Sequence, residues 1–244
     1  MTLDSLVQKF RLAKMQSERY PLKKSKFSSH SRMASWVLSA QKPENELLRL
    51  LDIGCSRGEF NELIDSPSLV YTGIEPFKDD YLFASGMGLN VKHLTAEEAV
   101  KCLKEEFNIL VFGDVLEHLV DPNSVLKKSK DLLSEGGWIL ISVPNVAHLT
   151  NRLSLLFGFW DYKDRGIRDR THLRFFTVKT IKEMCWEAGF QITELDFTPI
   201  PIEAITSGRQ LPFFKILDYL NYALTRSAPK LFAYQIVLKL QIMP

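Results

Sequence analysis

The chain has 244 residues, 45% of them hydrophobic and 25% charged, with a formal net charge of +2. That composition fills a sizeable core and excludes a disordered chain, and the length suits one α/β domain with appendages. No apolar run approaches the ~20 residues of a membrane span, and the cysteines (Cys55, Cys102, Cys185) form no CxxC pair, so a reducing cytoplasm fits better than a disulfide framework.

In chain order, residues 1–32 form a basic leader with eight Lys/Arg against Asp4 and Glu18, which leaves 23 basic and 27 acidic residues for the remainder. Leu3, Leu6, Val7, Phe10 and Leu12 stand near helical spacing, as in a solvated amphipathic helix. The leader could instead touch nucleic acid, an anionic lipid surface or an acidic substrate, but no aromatic ladder alternates with its charges, which speaks against nucleic acid. Met1–Phe10 has no signal-peptide core. Residues 33–244 read as the main domain.

From Leu47 onward short apolar runs alternate with helical patterns, the rhythm of a parallel sheet. Strands are expected at Leu47–Ile53, Leu69–Ile74, Val91–Leu94, Asn108–Phe112, Trp138–Val143, Gln191–Phe197 and Tyr234–Ile242. A helix is expected near Gly58, and another from Asp121-Pro122 to a stop at Gly136-Gly137. Thr177 caps a further helix ending at Gly189, and Pro212–Thr225 reads as an amphipathic one. The irregular segment 145–176 exceeds ordinary loop length and reads as a substrate-side lid. Phe213, Phe214, Leu217 and Leu220 give the late helix an apolar face, suited to core packing, pocket cover, membrane contact or a homodimer surface.

The sharpest motif is Asp52-Ile53-Gly54-Cys55-Ser56-Arg57-Gly58. Glycines at a strand-to-helix turn let a ligand approach the backbone. A dinucleotide fingerprint would need glycine at 56 and 59, where Ser56 and Glu59 stand, so NAD is disfavoured. Glu75 ends the second strand, where a carboxylate can accept both hydroxyls of a ribose. A turn plus a ribose acid describes a nucleoside site.

The runs LDIGCSRG, GIEP, FGDVLEHLVDP and GGWILISVPN resemble the class I S-adenosylmethionine (SAM)-dependent methyltransferases. Ser28-Ser29-His30, PNVAH (144–148) and DRTHLRFFT (169–177) resemble a subgroup associated with glycan biosynthesis and related to ubiquinone-pathway O-methyltransferases. The resemblance implies a Rossmann-like α/β fold, a seven-stranded mostly parallel sheet of order 3-2-1-4-5-7-6 with helices on both faces. It implies SAM as cofactor and S-adenosylhomocysteine (SAH) as product. Asp52, Gly54, Cys55, Ser56 and Gly58 would line the methionine part and Glu75 would hold the ribose. Thr95 stands where the family has an acid beside adenine, so a backbone amide of Thr95 or Ala96 can take that contact. Gly113, Asp114 and Val115 would close the pocket.

Methyl transfer needs an in-line nucleophile and, for an alcohol, a base. His118, at the mouth of the fourth strand, and His172 are the catalytic candidates; the alternative for His118 is a residue that orders its loop. Asp114, Glu117 and His118 resemble the divalent-cation ligands of the ubiquinone-pathway relatives, and no metal ligand set is assigned. His30 and His148 fall in family-like motifs and are assigned to substrate binding. Arg165, Arg168, Arg170 and Arg174 read as an anion clamp, or else as a surface network neutralised by Asp161, Asp164 and Asp169. Trp160 and Tyr162 could stack on a sugar ring or simply pack.

The favoured reading is O-methylation of a small polar or anionic, sugar-linked acceptor. The alternatives are a quinone-like or aromatic hydroxyl, an amine, or a non-catalytic SAM-binding partner of a glycosyltransferase. Nucleic acid is the least expected substrate, because no Asn/Asp-Pro-Pro-Tyr run follows the fourth strand.

Overall fold

The computed structural model describes residues 25–40, 47–64, 66–201 and 212–244, with the backbone alone for 212–216. Seven strands make one sheet: β1 (Leu48–Ile53), β2 (Leu69–Ile74), β3 (Val91–Lys92), β4 (Phe107–Gly113), β5 (Leu133–Pro144), β6 (Phe190–Thr198) and β7 (Gln235–Ile242). Their order is β3-β2-β1-β4-β5-β7-β6, and β7 alone runs against its neighbours. This is the expected methyltransferase topology. β1 and β4 are nearly continuous apolar runs because both of their faces are covered.

Alternate residues of those strands feed two cores. Leu50, Ile109, Val111, Leu140 and Val237 pack under Met33, Trp36 and Val37 of α1 (Ser29–Leu38). Leu51, Leu110, Phe112, Ile139 and Ile141 pack on the opposite face, with Ile181 and Cys185 of the later helix Val178–Glu187. Ser28 starts α1 by accepting from Ser31 N. α1 therefore spans the boundary expected between the leader and the domain. The leader helix expected at Leu3–Leu12 lies outside the described residues.

The other helices are α2 (Lys78–Gly86), α3 (Ala96–Cys102), α4 (Pro122–Lys128), α5 (Leu149–Leu156), α6 (Val178–Glu187), α7 (Pro212–Ser227) and α8 (Pro229–Phe232). Two expectations need correction. The helix expected at Gly58 is only a 3-10 turn, Asn61–Leu63. The one beginning at Pro122 closes at Lys128 and a 3-10 turn, Ser129–Leu132, so Gly136-Gly137 lie inside β5 rather than at a helix stop. Gly136 has φ +72°, and a Cβ on Gly137 would come within 2.8 Å of Ser134 O. The glycines serve a bulge where the β4–β5 register shifts.

The segment from Asn145 to Phe176 leaves the sheet after β5 and returns beside its starting point, with Val146 N donating to Phe176 O at 2.9 Å. It contains α5 and is tied to the body at its base, as compact functional loops are.

Candidate functional site

The first half of the site is the turn after β1. Gly54, Ser56 and Gly58 have φ of +76°, +49° and +87°, and the amides of Gly54 and Cys55 both donate to Ile74 O. A Cβ on Gly54 would fall 2.6 Å from Val115 Cγ2, so only glycine lets the turn close against Val115. Glu75 ties β2 to this turn: its carboxylate accepts from Ser56 N and Phe77 N, each at 2.8 Å. Asp52 accepts from Tyr71 Oη at 2.8 Å.

Burial pushes both acids up to about 7, against the lowering effect of those hydrogen bonds. Two buried carboxyls beside a glycine turn fit a ligand that brings a cation and a ribose. Burial also pushes the Cys55 thiol up, and its Sγ fills the space a Cβ on Gly73 would need, so Cys55 packs the turn as an inert thiol. Thr95 caps α3: its hydroxyl accepts from Glu98 N while its own amide donates to the Glu98 carboxylate. Its amide is thus taken, while its hydroxyl keeps a donor hydrogen beside buried Ala96.

The second half lies beyond β4. Gly113 packs under His30, whose Nε2 is 3.6 Å from a Cβ built on that glycine. Asp114 has φ +58°, rare for a residue with a side chain. Its carboxylate accepts from Ser142 Oγ at 2.6 Å and from Gln235 Nε2 at 2.6 and 2.7 Å. Asp114 is thus turned across β5 toward β7, while Val115 faces the β1 turn.

His118 and His172 meet edge to face, ring centres 4.8 Å apart. His118 Nδ1 lies 3.2 Å from Thr171 O, and His172 Nδ1 lies 3.1 Å from Ile167 O. A carbonyl only accepts, so each Nδ1 carries the hydrogen and each Nε2 keeps its lone pair. Burial, with His172 alongside, lowers His118 to about 4, and burial lowers His172 as well. Buried Glu117 joins them, and one donor atom from each of the three lies within 4.8 Å of the others. The segment 145–176 is strapped to this point: Glu117 O accepts from Leu173 N at 2.8 Å and from Arg174 N at 3.0 Å.

A family model described as "Methyltransferase domain" matches residues 26–195, more than half of the chain. The chain belongs to that family. It is a SAM-dependent methyltransferase domain, and SAM is its cofactor. A ubiquinone biosynthesis O-methyltransferase from Aromatoleum aromaticum is 28% identical over 155 residues, 60% of this chain and 65% of that protein. One from Glaesserella parasuis is 32% identical over 159 residues, 60% of this chain and 66% of the relative. The chain thus covers slightly under two thirds of either relative. A SAM-dependent methyltransferase from Archaeoglobus fulgidus shares the fold at TM-score 0.61 and 19% identity, over 90% of this chain and 95% of that one. Magnesium protoporphyrin IX methyltransferase from Synechocystis, solved with bound SAH, shares it at 0.58 and 12%, over 100% and 90%.

The four arginines have separate surroundings in the methyltransferase. Arg170 pairs with Asp164 at 2.5 Å, Arg174 donates to Val120 O, Arg168 sits 6.0 Å from the Trp160 ring and Arg165 is exposed. Trp160 itself packs edge-on against Phe175. His148 caps α5, accepting from Thr150 N, and lies edge-on to Tyr234. No sequence motif marks Ser142 or Gln235 or joins Glu117 and His118 to His172. Gln235 stands 121 residues from Asp114, and no local motif marks such a pair.

Proposed function

We propose that the domain methylates a hydroxyl oxygen on an aromatic, lipophilic acceptor held between β4 and the lid. The observation that carries this is the Glu117–His118–His172 cluster: a buried carboxylate and two imidazoles, with one donor atom from each residue within 4.8 Å of the others and a backbone carbonyl beside each Nδ1. An imidazole held near 4 is a poor proton acceptor for an alcohol at neutral pH. It is a good metal donor, and the carbonyl on its other nitrogen is the usual partner of a ligating histidine. The three residues would hold a divalent cation, which would lower the pKa of an acceptor hydroxyl.

Bound SAM supplies an electrophilic methyl on a sulfonium centre. Glu75 then accepts from the ribose hydroxyls and Asp52 faces the cationic methionine end, while Gly54 and Gly58 admit the cofactor to the backbone. His30 and the Asp114 turn border the acceptor, and the lid strapped to Glu117 O excludes water.

Two observations favour an aromatic acceptor over a sugar-linked anion. The curated relatives are named for ubiquinone biosynthesis, and three of the four arginines that would have met an anion are engaged within the protein. Methyl transfer from labelled SAM should be measured with catechol and with sugar nucleotides, before and after chelation and Mn2+ return. Catechol methylation that is lost on chelation and restored by the ion is expected. Turnover of sugar nucleotides alone would revive the anionic reading, and full activity after chelation would retire the metal.

A further inference from the structure

α5 is built the wrong way round for a helix facing water. Of its eight residues only the polar Asn151 is buried. Its polar side chains are the ones that tie it to the body: Asn151 Nδ2 donates to Val146 O, and Arg152 donates to Ala147 O and Lys230 O. Its large apolar side chains point outward. Leu153, Leu155, Leu156, Phe157, Phe159 and Tyr162 each keep between 47 and 74% of their surface exposed. Leu153, Leu156 and Phe157 recur at the spacing of a single helical face. Gly158, at φ +79°, ends the helix and lets the aromatic residues continue beside it. Isolated exposed apolar residues are ordinary on soluble proteins, but six large ones within ten positions are a patch that asks for a partner.

The charges around the patch indicate which partner. Exposed Lys163 and Arg165 lie in the stretch that follows the helix, and Arg152 bonds only to carbonyl oxygens and so keeps its positive charge, while of the three acids between 149 and 170 Asp169 is buried and Asp164 is already paired with Arg170. Exposed Lys230 adds a further positive charge beside Arg152. Leucines and aromatics rimmed by exposed cations are what the boundary between lipid headgroups and acyl chains accepts. A helix of this length cannot span a bilayer, and among the described residues no helix is long and apolar enough to cross one. We propose that α5 and the residues just after it dock the enzyme on an anionic membrane surface, apolar side chains in the lipid boundary and the basic rim on lipid phosphates. His148, which starts α5, lies edge-on to Tyr234, the neighbour of Gln235, so the N-terminal end of α5 is anchored beside the acceptor half of the site.

The test needs neither acceptor nor turnover, so it stands apart from the proposed reaction. The full chain is sedimented with phosphatidylcholine vesicles, with and without phosphatidylglycerol, at low and raised salt. Binding to the anionic vesicles should weaken about tenfold without the anionic lipid or at raised salt. The double variant L156E/F157E should stay in the supernatant while keeping its circular dichroism and its SAH affinity. The proposal fails if the wild type stays in solution with both vesicles, or if the double variant sediments as well as the wild type. It also fails if the wild type is a dimer that the two substitutions dissolve without any vesicle binding, since a second copy would then be the partner of this face.

Discussion

Around β1 and β2 the walls of the cleft are mostly backbone, turned by Gly54, Ser56 and Gly58 in left-handed conformations. Around β4, β5 and β7 they are side chains drawn from far apart: Asp114 meets Ser142 and Gln235, and His118 meets His172 under the lid. The electrostatics of the halves also run in opposite directions. Burial raises the acids Asp52 and Glu75 to about 7 and lowers the imidazole His118 to about 4, so both halves lean toward neutrality. Desolvation of this kind favours ligands that bring positive charge, which under the proposed reaction would be the sulfonium and ammonium of SAM in one half and a divalent cation in the other.

The largest expected effect falls on the cofactor half. Glu75→Ala should weaken SAH binding by about a hundredfold, the loss expected for a charge-assisted, partly buried hydrogen-bonding carboxylate. Calorimetric titration checks this, and an unchanged affinity would remove the ribose assignment. Next, His172→Ala should lower methyl transfer by about ten- to a hundredfold with SAH affinity intact, since its partners lie in the other half. Loss of SAH binding in that variant would erase the distinction between the halves.

A pH series sharpens the electrostatic contrast. SAH should bind about tenfold more weakly at pH 6 than at pH 8, because its ammonium group favours the ionised acids. For the empty protein the sign reverses. The folded acids hold their protons longer than the unfolded ones, so their contribution to stability is present below about 4 and is lost as pH rises through about 7. The double variant Asp52→Asn, Glu75→Gln should therefore gain melting temperature relative to the empty wild type between pH 6 and pH 8, because it loses the raised acids, which weaken the fold as pH rises, and keeps the lowered His118, His148 and His172, which weaken it at pH 6. The same change of melting temperature with pH in wild type and double variant, read by scanning fluorimetry, would contradict the raised acids.

Gln235→Leu, which removes the donor to both oxygens of Asp114, should cost about tenfold in turnover while SAH affinity stays within about twofold. A large loss of SAH affinity would put Asp114 back in the cofactor half. The smallest effect is expected for Arg174→Ala. Its guanidinium reaches Val120 O at an exposed position, so the melting temperature should fall by only about 2 °C with activity kept. A severe loss of activity would mean that Arg174 contacts the acceptor after all.

The sequence by itself determined the strands and the β1 turn, while their order in the sheet followed only from the family resemblance. Apolar runs buried on both faces read as parallel strands, and a glycine turn followed by an acid at the end of the next strand is written within 24 residues, from Asp52 to Glu75. Such features are local, so adjacent residue types are enough to reveal them. Thr177 as a cap and Gly189 as a stop were legible for the same reason. Gly136-Gly137 were not, because a helix stop and a strand bulge use the same residue, and only pairing with β4 separates them.

What the tertiary structure alone decided is the acceptor half. Whether four neighbouring arginines converge or pair off depends on how the lid folds back, and it folds so that Arg174 meets Val120 and Arg170 meets Asp164. Whether a histidine serves as base or as donor depends on its burial and on which nitrogen a carbonyl occupies, as Thr171 O and Ile167 O do here. Likewise only the fold shows α5 inside the segment read as irregular, with its polar Asn151 turned inward. These outcomes arise from long-range contacts and desolvation, which neighbouring residue types do not encode.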